Sequence, residues 1–166
     1  EKPADQFEHG LQGYQPHIAA WIDVPLSAGK EKGGQSKRRP AEARWIAKEL
    51  KTLATERPDL SFGVISFYAG QVDEILAELE SFGLAEKLHD GSFRVADAWR
   101  ETRGLDGHLK ERIRVGTVDA FQGKEFDIVF LSMTRSNDLP ISDERSLRRK
   151  YGHLMLENRL CVAMSR

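Results

Sequence analysis

Residues 115–133 read "VGTVDAFQGKEFDIVFLSM": two strand-like runs separated by a knot holding Asp119, Gln122, Gly123, Lys124 and Glu125. The runs extend to "RIRVGTV" (112–118) and "FDIVFLSM" (126–133), and the second is nearly all apolar, as a strand covered on both faces should be. Asp119 is placed to cap a short helical turn through Ala120, Phe121 and Gln122, with Gly123 ending it in a left-handed conformation. Such a turn would aim Gln122, Lys124 and Glu125 outward from the sheet edge. A plain tight connection, its polar groups serving only their own backbone, fits the same residues. A parallel crossover normally takes a dozen or more residues, and the gap here is shorter. Either the turn is unusually economical or the two strands are not parallel neighbours.

Outward from the knot, the chain alternates strand and helix signals. "HIAAWIDVPL" (17–26) reads as a strand bounded by Pro16 and Pro25, and "SAGKEKGGQSKRR" (27–39) as a mobile loop. Pro40 suits a first helical position, and Trp45, Ile46, Leu50 and Leu53 follow at helical spacing. "SFGVISF" (61–67) is another strand, leading through Tyr68, Ala69 and Gly70 into a helix with Val72, Ile75, Leu76 and Leu79 on its stripe. Residues 84–110 show no clear period and read as an insertion of undefined structure. After Asn137, Asp138 and Pro140 comes a basic run, Arg145, Arg148, Arg149 and Lys150; "LENRLCVAMSR" then places Leu156, Leu160, Ala163 and Met164 at helical spacing. This order predicts an α/β fold with an open, mostly parallel sheet flanked by helices. Ligands bind such sheets beyond the carboxyl ends of the strands. Tyr68 and Gln71 follow one strand, and Asp119 to Glu125 follow another.

Composition narrows the class. The 166 residues suit one domain, 17–166, after a polar lead-in over 1–16. The formal charge of −1 gives no overall basic field, although the runs Lys37-Arg38-Arg39 and Arg145-Arg148-Arg149-Lys150 could line a strand-binding surface. One cysteine, Cys161, excludes an internal disulfide, and the five histidines lack ligand-like spacing. No apolar run reaches membrane-spanning length, so a cytoplasmic protein without a membrane partner is expected. The ends, "EKPADQ" and "AMSR", read as cuts through a longer polypeptide.

The stretch "VGTVDAFQGKEFDIVFLSMTRS" resembles motif V of superfamily 1 helicases, in the branch that contains the nonsense-decay RNA helicase and bacterial DNA-helicase-like relatives. "VISFYAGQ" resembles motif IV, "ENRLCVAMSR" resembles motif VI, and "RRPAEARWIAKEL" is similar to the helix before motif IV. Three motifs in family order are specific where one would not be. The resemblance implies the second, C-terminal RecA-like domain of the P-loop NTPase type. It implies Glu125 as ribose contact, Gly123 as the point of nucleotide approach, and Gln122 as a coupling residue. Thr117, Asp119, Tyr68 and Gln71 would face single-stranded nucleic acid, DNA or RNA, with Thr117 able to donate to a phosphate and Asp119 more suited to holding the loop. Tyr68 could equally be a core-rim residue. Arg159 and Arg166 lie one heptad apart, on the same helix edge, near the nucleotide. Arg166 would be the arginine finger, since charge builds on phosphate oxygens in the transition state. Cys161 departs from the asparagine frequent in that branch.

The sequence contains no G-x-x-x-x-G-K-[ST]; in "SAGKEKGG" Glu31 stands where the magnesium-binding hydroxyl belongs. The resemblance implies that the phosphate loop and the magnesium ligands for ATP sit in an N-terminal RecA-like domain of the same polypeptide, leaving this chain inactive by itself. A non-hydrolysing nucleic-acid-binding or scaffolding module on the same fold is the competing reading. An autonomous hydrolase built on Asp119 and Glu125 lacks a nucleophile or metal set.

Overall fold

The computed structural model describes residues 9–104 and 107–165. Seven strands and four α-helices are described. Helix α1 (Pro40–Glu56) starts at Pro40 and buries Ala43, Ile46, Ala47, Leu50, Leu53 and Ala54, one stripe at helical period. Strand β1 (Phe62–Ser66) is buried throughout, and α2 (Ala69–Ser81) buries Gln71, Ile75 and Leu79. Strands β6 (Ile113–Thr117) and β7 (Ile128–Ser132) complete the main sheet in the order β6-β1-β7, all parallel. Helices α3 (Glu144–Tyr151) and α4 (Glu157–Met164) follow.

The short gap between β6 and β7 is thereby accounted for: the two are not neighbours, because β1 lies between them. Side chains alternate along β1. Phe62 and Val64 join α1 and α2 in one core, whereas Ile65 joins Phe67, Tyr68, Val118, Phe121 and Ala163 in a second core on the other face. The parallel sheet is therefore covered by helices on both faces, the α/β layering that the sequence predicts. Ser66 lies level with Thr117 and Ser132 in the register, so the three strands end together.

Several expected elements differ. Residues 17–26 form no strand: Ile18 and Trp21 are exposed, and the Val24 and Pro25 carbonyls accept from Arg39 Nη2 at 2.6 and 3.0 Å instead of joining a ladder. Residues 27–39 contain an antiparallel bridge between Lys32 and Arg38. Residues 128–131 of β7 are only half-buried; among the described residues β1 is its one partner in the sheet. On α4 only Ala163 is buried; Leu156 and Met164 are exposed.

The expected insertion forms two hairpins, β2 (Ala85–Lys87) with β3 (Phe93–Val95), and β4 (Glu101–Arg103) with β5 (Leu109–Glu111). The second attaches at the amino ends of the main strands. Thr102 Oγ1 donates to the Pro58 carbonyl before β1, and Lys110 Nζ donates to Asp127 Oδ2 before β7. Trp99, between the hairpins, lies under Lys51 at 4.4 Å and Arg112 at 4.5 Å. Asp127 also accepts from the Ser61 backbone and hydroxyl at 2.7 and 2.6 Å. Burial pushes its carboxyl up, but the bonds from Lys110 and Ser61 outweigh that and hold it below the usual range.

Candidate nucleotide-facing site

Beyond the carboxyl end of β6, Val118–Phe121 makes a single 3-10 turn. Phe121 is fully buried, and its ring lies over Gly63 of β1 and Gly116 of β6, where a Cβ would stand 2.9 and 3.4 Å from it. Phe126 packs against Phe121 at 5.5 Å between centroids. Two aromatic anchors thus fasten the knot to a sheet surface kept low by glycines, while residues 122–125 stay exposed between them. This is how so polar a stretch joins two buried strands. Asp119 is not the cap expected: Thr117 holds the N-cap position, and neither side chain caps the turn. Gly123 has φ of 72°, the left-handed conformation expected, and no atom lies within 4 Å of the position its Cβ would take. Among the described residues, nothing pairs with the side chains of Gln122 or Glu125.

Asp119 instead meets the last helix. Arg159 Nη2 of α4 donates to Asp119 Oδ2 at 3.2 Å, an ion pair between the turn after β6 and the helix packed beside it. Arg166 lies outside the described residues.

Tyr68 and Gln71, expected to face a nucleic-acid strand, are placed inside. Tyr68 is buried in the second core, and its hydroxyl accepts from the His153 backbone at 3.1 Å. Gln71 is fully buried; its Oε1 accepts from the Arg39 backbone at 2.6 Å and its Nε2 donates to Ser132 Oγ at 3.1 Å. No ring face or amide of these two is left open to a base or a phosphate.

A buried polar network beyond the strand ends escaped sequence reasoning. Glu42 accepts from Ser132 Oγ at 2.7 Å and from the Thr134 backbone at 3.1 Å, and faces Arg39 at 3.7 Å. Arg39, counted above in a basic run, is nearly buried and spends its guanidinium on the carbonyls of Val24, Pro25 and Gly29. The same run has Arg38 paired with Glu74 at 3.5 Å and Lys37 Nζ bonded to the Gly33 carbonyl. In the second run Arg148 pairs with Glu144 at 2.6 Å, and Arg145 and Arg149 are exposed. Glu31 pairs with Arg135 at 3.2 Å, both side chains 6% exposed. The only signal for these roles was proximity to the motifs, in "SKRRPAEA" and "MTRS".

Among the described residues, no group of three or more His, Cys, Asp or Glu side chains could hold a metal ion. No helix among them is long and apolar enough to cross a membrane.

The AAA domain family matches residues 2–166. The chain is 30% identical over 132 residues to the DNA polymerase alpha-associated DNA helicase A of Saccharomyces cerevisiae, covering 79% of this chain and 14% of that protein. It is 42% identical over 57 residues to a Schizosaccharomyces pombe helicase required for RNAi-mediated heterochromatin assembly, covering 34% of this chain and 5% of that protein. It is 36% identical over 75 residues to the regulator of nonsense transcripts 1 of Caenorhabditis elegans, covering 39% and 7% respectively.

Proposed function

Because the chain belongs to the AAA domain family, as the C-terminal domain of a superfamily 1 helicase, we propose that it is the second motor domain of an ATP-dependent nucleic-acid helicase or translocase. The observation that carries this reading is the exposed Gln122–Glu125 segment at the carboxyl end of the sheet, tied to α4 by the Asp119–Arg159 pair. ATP would bind between this domain and an N-terminal RecA-like domain of the same polypeptide. That domain would hold the phosphates and the magnesium ion, for which the described residues of this chain offer no ligand cluster.

The fit on this side is chemical. The open space at Gly123 lets a nucleotide approach the backbone, and the Glu125 carboxylate, unpaired among the described residues, can accept from ribose hydroxyls. Magnesium bound with ATP would supply positive charge to the phosphates, held by the N-terminal domain. Arg166 would bring a guanidinium to the same phosphates, and Arg159 holds the turn after β6 through Asp119. Single-stranded nucleic acid, DNA or RNA, would pass near Thr117 and the motif V turn.

The test is Arg166→Ala in the complete polypeptide, with single-turnover hydrolysis and nucleotide affinity measured side by side. Hydrolysis should fall by roughly 10³–10⁵ while ATP and nucleic-acid affinities hold, because a finger acts mainly on the transition state. Arg166→Lys should restore little, since an ammonium lacks the planar fork. Near-normal turnover in Arg166→Ala sinks the finger assignment.

A further inference from the structure

Three residues after β7, the Arg135 guanidinium fastens the end of α3. Its Nε donates to the Lys150 carbonyl at 2.9 Å, and its Nη2 donates to the Arg149 carbonyl and pairs with Glu31. Carbonyls in the last turn of a helix have no partner within it and form its negative end, so a cation there satisfies both needs. Glu31 closes the cluster by accepting from the Ser136 backbone at 2.7 Å and Asn137 Nδ2 at 3.0 Å; the same Nδ2 also reaches the Lys150 carbonyl. The residue before Arg135 is Thr134, fully buried at φ of 64°. A threonine in that region is strained and persists only where its surroundings fix it. Here Glu42 holds its backbone N–H, and Ser66 Oγ lies 3.3 Å from its hydroxyl.

The next turn depends on a glycine. Gly152 has φ of 55°, and a Cβ on it would collide with Tyr68 Oη and stand 3.3 Å from Arg135 Nη1. Immediately after it, the His153 backbone donates to Tyr68 Oη, and the two rings meet edge-on at 4.9 Å. The link from α3 to α4 is therefore held by one residue after β1 and one after β7.

We propose that Arg135 and Tyr68 are positioning residues that seat the α3–α4 link on the strand ends and so fix the helix whose sequence continues to Arg166. Its consequence for turnover rests on the ATPase reading above. Displacement of a reacting group by about 1 Å can cost on the order of 100-fold in rate, so a loosened seat lowers turnover without touching a nucleotide contact.

The test uses Arg135→Lys and Tyr68→Phe in the complete polypeptide. The first keeps the charge but not a fork able to serve two carbonyls and a carboxylate. The second removes only the hydroxyl and is the variant expected to fold if the first does not. Amide hydrogen exchange, ATP affinity and single-turnover hydrolysis are read together. Exchange should quicken at His153 and across α4 while β1 and β7 stay protected. Hydrolysis per folded molecule should fall, more in Arg135→Lys, at unchanged ATP affinity. Unchanged exchange at α4 in both variants overturns the seat, as does wild-type turnover in both. If the unmodified polypeptide hydrolyses no ATP, the motor reading fails, and quickened exchange at α4 still decides for the seat.

Discussion

Glu125, in the segment after the 3-10 turn, and Arg159, on α4, ask different things of their surroundings. Glu125 is exposed and unpaired among the described residues, so its removal leaves nothing buried behind. Glu125→Ala in the complete polypeptide should weaken nucleotide binding by about 1.5–3 kcal/mol, the worth of a charged hydrogen bond. Thermal unfolding should be unchanged; a variant that binds ATP normally but melts early would make Glu125 structural. Arg159 already has a partner in Asp119, whose side chain is 71% exposed. Exposed pairs contribute about 0.2–1 kcal/mol, so Arg159→Ala and Asp119→Ala should each cost little stability. Their effects on turnover should match, and the double variant should be no slower than either single one, because both break one link. Additive losses would mean that Arg159 has a separate duty at the nucleotide.

At the level of elements, the β4–β5 hairpin depends on a carboxylate. Asp127 joins the start of β7 to Ser61 before β1 and to Lys110 of β5. Its pKa is lowered on folding, so its contribution is present above the unfolded value, about 3.9, and is lost as pH falls through the folded value. Asp127→Asn should therefore destabilise at neutral pH by on the order of 1 kcal/mol, discounted for partial exposure. The gap from wild type should close as both are titrated below the unfolded value. A gap that persists in acid would assign the loss to packing. The hairpins also mark where sequence reading stops. Helices α1 and α2 announce themselves by residues buried at helical period, and β1, β6 and β7 by short runs rich in apolar residues. Three-residue strands such as β2 and β4 are too short to show a period, and the β4–β5 hairpin draws its order from Thr102 and Lys110 reaching other elements. Residues 17–26 fail in the opposite way: their apolar pattern suits a strand, but their carbonyls are taken by Arg39. At the site, the exposed knot was legible because it interrupts two apolar runs. Tyr68, Gln71, Arg39 and Arg135 were not, since a polar residue bound inside looks in sequence like one facing solvent.

For the whole molecule, the arrangement separates two ends of one sheet. The β4–β5 hairpin braces the amino ends of the strands, while the knot, the Glu42 network and the α3–α4 link occupy the carboxyl ends. Two apolar cores meet across β1, so residues 1–166 should unfold in one cooperative transition, with near-ultraviolet dichroism and far-ultraviolet dichroism coinciding on heating. The same purified chain should hydrolyse no ATP above background. Phosphoryl transfer needs backbone donors and a lysine around the phosphates together with a held magnesium ion. The sequence contains no G-x-x-x-x-G-K-[ST], and the described residues present no cluster that could hold the metal. In the proposed arrangement Glu125 and Gly123 meet only the sugar side of a nucleotide, so weak ATP binding without turnover is the expected state of this chain alone. Joining it to the proposed N-terminal domain should restore hydrolysis, and Arg166→Ala in that joined polypeptide should abolish it again. Robust turnover by residues 1–166 that survives removal of contaminating ATPases, and that Arg166→Ala leaves unchanged, would overturn the two-domain reading.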